Sequence, residues 1–190
     1  YKFLSRFHMA DRDLSWSEYL RERYASPTIH RLMNWAEKLD RVTTSRDVAA
    51  ELITLFSLVL TTVVRSDRDL ATKALVLLGE KHPEVLFEHV LVALDFNDPY
   101  VPERMLAAAY GVSLSLVDSE HAGCFRPLLG DLAKKLYRRM FAPHARNATH
   151  HTHMRDYALG IIEVAKSVGC VKLPKTSVHH LSRPFRNTPS

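Results

Sequence analysis

The chain has 190 residues, 46% of them hydrophobic and 25% charged, and this composition is typical of a folded protein with a buried core. Its 6 glycines are too few for a turn-rich β fold, so the composition favours helices. A formal charge of +5 permits contact with nucleic acid or acidic protein without requiring either. Cys124 and Cys170 match no metal or redox spacing, so we expect reduced thiols and a cytoplasmic location.

The start of the sequence and its most apolar stretch indicate whether the chain carries a signal peptide or a membrane-spanning segment. The sequence starts at Tyr1 rather than Met, so we expect a piece of a longer chain. Lys2 and Arg6 are followed by polar residues instead of an apolar run, which does not match a signal peptide. Residues 52–64 are the most apolar stretch, but they are too few to span a bilayer. We therefore expect no contact with a membrane.

Capping signals and apolar residues at helical spacing predict about eight helices in chain order. Ser15 and Glu18 form a capping box, Ser45 precedes a third helix, and Asp67 is predicted to cap a fourth. Pro83 is placed at the first position of a fifth helix, and residues 97–99 break the chain before a sixth. The predicted helices cover approximately residues 15–24, 27–39, 46–64, 67–82, 83–94, 125–141 and 151–168, and the sixth, after the break at 97–99, carries apolar positions from Met105 to Leu116.

The order of these segments predicts an all-α architecture. Helices joined by short connections pack antiparallel, and here pairs recur every ~35 to 50 residues, as in HEAT-like repeats. Because the sequence does not repeat regularly, an irregular HEAT-like α-solenoid and a multi-helix bundle both remain open. We assign residues 1–168 to this helical repeat domain. Residues 169–190 contain three prolines among scattered basic residues, and we predict an extended tail.

Four histidines crowd one loop and helix start: His144, His150, His151 and His153. His150 and His153 are three residues apart and could share a metal ion, but no cysteine or acidic ligand stands at a metal-site offset, and Asp156 is the only nearby carboxylate. We therefore predict a polar helix cap, with no metal and no cofactor. An enzyme with a histidine-centred site near His150 is the least favoured of three functional hypotheses.

A run of basic residues marks the seventh predicted helix. Its members form a possible basic surface: Lys134, Lys135, Arg138, Arg139 and, further on, Arg146. Such a surface can bind phosphates, but it also suits the solvated face of an amphipathic helix. Within the run 134–139 only Tyr137 is aromatic, and one aromatic residue does not form a stacking platform, so base stacking is not indicated. A nucleic-acid-binding domain is therefore the alternative hypothesis rather than the first.

The sequence contains no motif of a known catalytic site: no phosphate-binding glycine loop, no HExxH and no GxSxG. The adjacent charges Glu103–Arg104 and Arg155–Asp156 are interpreted as ion pairs that fix helix packing. We therefore do not expect this chain to be an enzyme.

Gly111 and Gly160 lie inside predicted helices, where glycine costs about 1 kcal/mol relative to alanine. Both stand in patches of small residues, which would let two helices approach closely. We predict that this close approach is the reason for both glycines.

Two of these segments resemble a known family. Asn97-Asp98-Pro99-Tyr100-Val101-Pro102-Glu103-Arg104 with the following Ala-Ala-Ala-Tyr-Gly, and Met154-Arg155-Asp156-Tyr157-Ala158-Leu159-Gly160-Ile161-Ile162-Glu163, are similar to motifs in the C-terminal helical repeats of bacterial STAND NTPases of the Avs antiphage-defence type. Residues 182–185 are similar to an Arg-Pro-Pro-Tyr turn of the same region. The resemblance covers about a third of the chain, and it departs from the family at Leu159, where arginine is expected, and at Phe185, where tyrosine is expected.

The resemblance implies a helical scaffold or sensor segment of a defence protein. In that family the repeats recognise a viral protein and a separate P-loop domain hydrolyses ATP, and no glycine loop of that kind occurs in this sequence. The sequence therefore predicts a non-catalytic module that binds a protein partner, which is either viral or another domain of the parent chain.

Overall fold

The computed structural model describes residues 8–21, 26–39, 44–119 and 122–172. Within these ranges the chain forms eight helices and no strand, which confirms the predicted all-α fold. The helices are α1 (Met9–Arg12, a π-helical stretch Asp13–Ser17, and Glu18–Arg21), α2 (Ser26–Trp35, continued by a 3-10 turn Ala36–Lys38), α3 (Arg46–Val59), α4 (Arg65–Lys81), α5 (Pro83–Ala93), α6 (Tyr100–Leu116), α7 (Ala122–Leu136, continued by a π-helical stretch Tyr137–Phe141) and α8 (Thr152–Ser167).

The helices from α2 onward are stacked in two layers. One layer contains α2, α4, α6 and α8, each packed beside the next, and the other contains α3, α5 and α7. From α3 onward each helix packs against its neighbour in sequence, and from α2 onward each packs against the next helix but one, which is the stacking order of a helical-repeat array. At one end, α1 is attached to α3 through a hydrogen bond from Trp16 Nε1 to the carbonyl of Leu58 (2.9 Å).

The core runs between the two layers and is densest around α6, which contacts α4, α5 and α8. Met105, Ala109 and Val112, which the helical spacing predicts on one face, are fully buried. On α8 the predicted apolar positions Ile161 and Ile162 are fully buried as well. Burying one such large side chain stabilises a fold by about 1.5–3 kcal/mol, so tertiary packing rather than intrinsic propensity holds these helices in place.

Several predicted helix starts are confirmed by hydrogen bonds. The hydroxyl of Ser45 accepts from the backbone N–H of Val48 at the start of α3 (3.3 Å). Pro83 occupies the first position of α5, where its missing N–H costs nothing. Asp98 Oδ1 accepts from the N–H of Tyr100 (3.0 Å). This bond lies where the non-helical residues 97–99 end and α6 begins.

Two predicted caps are wrong. The first helix begins at Met9 rather than at the Ser15 capping box, and the Ser15 hydroxyl instead donates to the carbonyl of Asp11 (3.4 Å) inside the helix. Helix α4 begins at Arg65, so Asp67 lies in the first turn and does not cap it. Asp67 is buried and pairs with His30 Nε2 of α2 (2.9 Å). The carboxylate of Asp67 therefore binds His30, which is distant in sequence, and does not cap its own helix as the local sequence predicts.

Helix α3 ends at Val59, five residues before the predicted end. The Thr61 hydroxyl donates to the carbonyl of Leu58 (2.8 Å), and the Thr62 hydroxyl accepts from the N–H of Val64 (3.3 Å). Such local bonds compete with the helical ladder, so two threonines in an apolar run end the helix early.

The helical glycines divide into tight and open positions. A Cβ atom on Gly160 of α8 would lie 2.6 Å from the ring of Tyr110 on α6, which confirms the predicted close approach. For Gly111 that prediction is wrong, because its Cβ would meet only Val76, at an ordinary 3.6 Å. Gly130 is a further tight position that no sequence pattern indicates, since its Cβ would lie 2.6 Å from the carbonyl oxygen of Cys170.

We expect Gly160→Leu to lower the free energy of unfolding by about 1–3 kcal/mol, because its side chain would displace the half-buried Tyr110 ring. Lys135→Ala is the matched surface change. It removes an exposed ion pair to Asp131 (2.6 Å), so its effect should stay within about 0.5 kcal/mol. Urea denaturation of both variants measures the difference. Equal midpoints would show that α6 and α8 do not touch at Gly160.

The last described residues leave α8 and return to α7. Gly169 adopts a φ of +72°, the left-handed conformation in which glycine ends helices without strain. Val171 is buried and the Cys170 backbone lies against Gly130 of α7. The remainder of the predicted extended tail, residues 173–190, lies outside the described residues. None of the described helices has the length and apolar character that crossing a membrane requires.

Candidate interaction surfaces

The two segments that resemble the STAND family lie on neighbouring helices. Helices α6 and α8 pack side by side, and Tyr110 and Tyr157 bring their rings to 6.3 Å between centroids. Glu103 of α6 reaches the start of α8, with its carboxylate 3.4 Å from His151 Nε2 and 3.5 Å from His153 Nδ1. A negative charge at a helix N-terminus is favourable, so Glu103 joins the two helices.

Arg104 has a structural role, as predicted, but its partner lies on another helix. Its Nη1 donates to Asp69 Oδ1 of α4 at 2.8 Å, whereas its Nε is 4.0 Å from the adjacent Glu103. Arg104 therefore connects α4 to α6, while Glu103 connects α6 to α8. Both side chains hold the layer together, which leaves them little freedom to bind a ligand.

Arg155 and Asp156 do not form the predicted ion pair. Arg155 lies over the ring of Phe141 at 5.3 Å and donates from Nη1 to the carbonyl of Thr149 (3.4 Å), so it fixes the loop before α8. Asp156 is exposed, and in the described part of the chain no cation pairs with it. Only the arginine of this pair contributes to packing.

The histidine cluster caps a helix. His151 Nδ1 accepts from the N–H of Met154 (3.5 Å), which confirms the predicted polar cap at the start of α8. Among residues 8–21, 26–39, 44–119 and 122–172, no three histidine, cysteine or acidic side chains are arranged to hold a metal ion. His144 lies in the preceding turn with a positive φ of 58° and takes no part in the cap.

The predicted basic surface is smaller than its sequence suggests. Lys135 pairs with Asp131, and both Arg139 and Arg146 turn towards Asp95. The two remaining cations, Lys134 and Arg138, are exposed one turn apart on α7, and no partner for them occurs in the described ranges. Three of the five basic side chains are thus engaged within the chain.

Asp95, which sequence reasoning missed, organises the end of α5. Asn147 Nδ2 donates to Asp95 Oδ1 (2.9 Å) and to the carbonyl of Leu94 (3.0 Å), and Arg146 forms a forked pair with the carboxylate. Arg139 donates to the carbonyl of Leu91 in the last turn of α5. Donors of this kind satisfy the orphan carbonyls of a helix end. The loop after α7 is therefore fastened to α5.

The pKa of Asp95 reflects this network. Partial burial raises the pKa, but hydrogen bonds from Arg146 and Asn147 and the charges of Arg146 and Arg139 outweigh it and hold the pKa below its usual value. The folded state therefore binds this proton less readily than the unfolded chain does. The resulting stabilisation is complete above the ordinary aspartate pKa of about 3.9 and is lost as the pH falls through the lowered folded value.

We expect wild-type stability to fall more steeply from about pH 5 to pH 3 than that of Asp95→Asn, by an amount below about 1 kcal/mol because the site is partly exposed. Thermal melts across this range measure the difference. Asp156→Asn removes an exposed carboxylate that pairs with no cation of the described segments, and it should follow the wild-type curve. Parallel curves for wild type and Asp95→Asn would contradict the assigned role.

A shallow groove lies on the second layer, between α5 and α7. Its floor is apolar and its rim is mostly acidic. The lining residues are Phe87, Leu91, Leu128 and Leu132 on the floor and Glu84, Glu88, Asp131 and Lys135 on the rim. This surface joins apolar area to charged groups, the combination found at protein interfaces.

Comparisons with protein-family models, with curated proteins and with solved structures find no significant match to this chain. The resemblance of residues 97–111 and 154–163 to STAND NTPases therefore stays a prediction.

Proposed function

We propose that this chain is a non-catalytic helical-repeat scaffold or sensor module that binds a protein partner. The observation that carries the proposal is the groove between α5 and α7, with its apolar floor and charged rim on the face of a stacked helical array. Repeat arrays of this kind present extended surfaces to partners. The charged residues of the two family-like segments support the proposal too, since Glu103, Arg104 and Arg155 serve helix packing instead of chemistry.

The parent protein is proposed to be an antiviral-defence NTPase of the STAND type. The support is the resemblance of two segments that lie on the adjacent helices α6 and α8. The partner would then be a viral protein or another domain of the parent chain. Both are protein surfaces, so both suit a groove with an apolar floor.

The test uses the immobilised full chain and two matched aspartate substitutions of leucine. Leu128→Asp places a charge on the groove floor, while Leu114→Asp places one on α6 at a side chain that is already 52% exposed. Proteins retained by wild type are identified and titrated in purified form. We expect Leu128→Asp to weaken binding at least tenfold, the effect of about 1.4 kcal/mol, and Leu114→Asp to leave it unchanged. A partner that binds Leu128→Asp normally, or no retained protein at all, would overturn the proposal.

Nucleic-acid binding is the second candidate, favoured by the exposed cations Lys134 and Arg138, which have no acidic partner among the described residues. Two phosphate contacts give a logarithmic salt dependence of only about −2 on duplex DNA, so such binding would be weak at physiological salt. Titration of a generic labelled duplex with wild type and with Lys134→Glu/Arg138→Glu measures it. Salt-dependent binding that this double variant abolishes would favour the alternative over a protein partner.

A further inference from the structure

The connection between α5 and α6 presents three groups that together recognise a guanidinium. Arg12 of α1 donates from Nη1 to Asn97 Oδ1 and from Nη2 to Asp98 Oδ2, both at 2.8 Å, and its guanidinium carbon lies 5.2 Å from the centre of the Phe96 ring. A planar fork of donors suits two adjacent acceptors and an aromatic face, whereas the ammonium group of lysine acts as a point charge. Residues 96–98 therefore form a pocket whose shape and charge fit arginine.

The pocket belongs to the helical array and does not depend on α1 for its shape. The Phe96 N–H donates to the carbonyl of Ala93 (3.0 Å), the last residue of α5. On the other side, Asp98 Oδ1 accepts from the N–H of Tyr100 (3.0 Å), the first residue of α6. Phe96 and Asp98 are buried but Asn97 is exposed, so the pocket reaches solvent at Asn97. The acceptors are thus held in place while one edge of the site stays accessible.

Helix α1, which supplies the guanidinium, is attached to the array by a few side chains. No other described helix packs along its length. Arg12 and Leu20 are buried, and Trp16 is half-buried with its Nε1 bonded to the carbonyl of Leu58. In contrast, Leu14 of the same helix is 75% exposed. An element that buries little apolar surface opens locally at a small cost, so α1 is the part of the described chain best suited to detach.

The chemistry of the pocket decides what can replace α1. If Arg12 left an empty pocket, the buried carboxylate of Asp98 would lose this cation, and removing one member of a buried ion pair is strongly destabilising. A second guanidinium that enters as Arg12 leaves keeps the carboxylate compensated and the two hydrogen bonds made. A neutral side chain supplies no compensating charge, and an ammonium supplies the charge without the planar fork. Exchange therefore favours arginine over every other side chain.

We propose that residues 96–98 form a guanidinium-binding pocket that Arg12 occupies within the chain and that an arginine side chain of a protein partner occupies in its place. Helix α1 then competes with the partner, and binding releases α1 from the array. The role of the pocket in partner binding rests on the proposed function above. Its preference for a guanidinium does not.

The test follows the release of α1 through Trp16 in the full chain. Trp16 and Trp35 are the two tryptophans of the sequence, so Trp35→Phe leaves Trp16 as the single reporter, and its emission moves to longer wavelength when the indole enters water. The probe is a synthetic peptide of residues 9–21 with Trp16→Phe, and the matched probe carries Arg12→Lys in addition. We expect the arginine peptide to shift the emission, and the lysine peptide to bind at least tenfold more weakly.

Two variants of the full chain locate the effect. Arg12→Lys weakens the internal ligand while a cation stays beside Asp98, so the chain should bind the arginine peptide at least tenfold more tightly than the chain with Arg12 does. Asp98→Asn removes the charge of the pocket and should abolish the preference for the arginine peptide. Asp69→Asn is the matched control. It breaks the pair with Arg104 that is also 2.8 Å long but half-exposed, and it should leave peptide binding unchanged.

The proposal is overturned if the two peptides bind equally well, or if Arg12→Lys in the chain does not strengthen binding of the arginine peptide. Both comparisons hold even if Asp98→Asn fails to fold. No unidentified partner takes part in this experiment. A negative result therefore leaves the proposed function of the α5–α7 groove standing, and failure to find a partner for that groove leaves the pocket standing.

Discussion

Asp98→Ala is expected to lower the free energy of unfolding by about 3–5 kcal/mol, the usual effect of removing one member of a buried ion pair. Asp98 Oδ2 accepts from Arg12 Nη2 at 2.8 Å, and the two side chains are only 5% and 0% exposed. Arg12 also donates to Asn97 (2.8 Å) and lies over the ring of Phe96 at 5.2 Å. Without Asp98, the buried guanidinium of Arg12 loses a carboxylate at 2.8 Å, and a charge in a low-dielectric setting is costly when such a partner is removed.

The same substitution removes a cap. Asp98 Oδ1 accepts from the N–H of Tyr100 at the start of α6, a bond typically worth about 1 kcal/mol. Asp69→Ala provides the matched control, because Asp69 pairs with Arg104 at the same 2.8 Å but is 49% exposed. Its effect should stay below about 1 kcal/mol. Denaturant unfolding compares the two.

A double variant separates charge burial from the cap. Arg12→Met with Asp98→Leu replaces the pair by apolar side chains, and such exchanges of buried pairs are often neutral or stabilising. We expect this double variant to recover most of the stability that Asp98→Ala loses. The contribution of the hydrogen bond from the Tyr100 N–H to Asp98 stays lost. If Asp98→Ala costs no more than Asp69→Ala, then Arg12 is not buried against Asp98 and α1 does not pack on the α5–α6 connection.

The sequence was sufficient for the number, type and approximate position of the helices. The apolar positions on α6 and α8 recur at the helical period because each helix buries one face, and that constraint is local. Pro83 and the break at 97–99 were readable because proline and short polar residues act on the backbone nearest to them. The close helix approach at Gly160 of α8 was also readable from its small neighbours, whereas the same pattern at Gly111 of α6 was misleading.

The surfaces could not be read in the same way, because their members are distant in sequence. Asp95 meets Asn147 and Arg146 across about fifty residues, and no local pattern marks these partners. Arg139 and Arg146 look like part of a basic surface in sequence, yet the distant carboxylate of Asp95 engages both, while Lys135 pairs locally with Asp131. Asp67 failed as a cap for the same reason, since His30 is 37 positions away. Local patterning thus places helices well and charged partners poorly.

Gly79→Leu is expected to be the most damaging of the glycine substitutions, at about 3 kcal/mol or more, the upper range for overpacking a core. Gly79 lies on α4 and is buried. A Cβ atom there would collide with the Leu86 side chain of α5 and would lie 2.9 Å from Val112 Cγ2 of α6. Leu86 and Val112 are both fully buried, so neither can swing into solvent as the half-buried Tyr110 next to Gly160 can.

Gly111 supplies the matched control, since it also lies mid-helix but has only Val76 near its Cβ, at 3.6 Å. Gly111→Ala should stabilise the fold by up to about 1 kcal/mol, the difference in helix propensity between the two residues. Gly79→Ala should instead destabilise it, because the steric collision outweighs the same gain in propensity. Calorimetric melting of Gly79→Ala and Gly111→Ala checks the sign of the two stability changes. The same measurement on Gly79→Leu checks the size of the destabilisation. Similar increases in melting temperature for Gly79→Ala and Gly111→Ala would mean that α4, α5 and α6 do not converge on Gly79, and the two-layer packing would need revision at its centre.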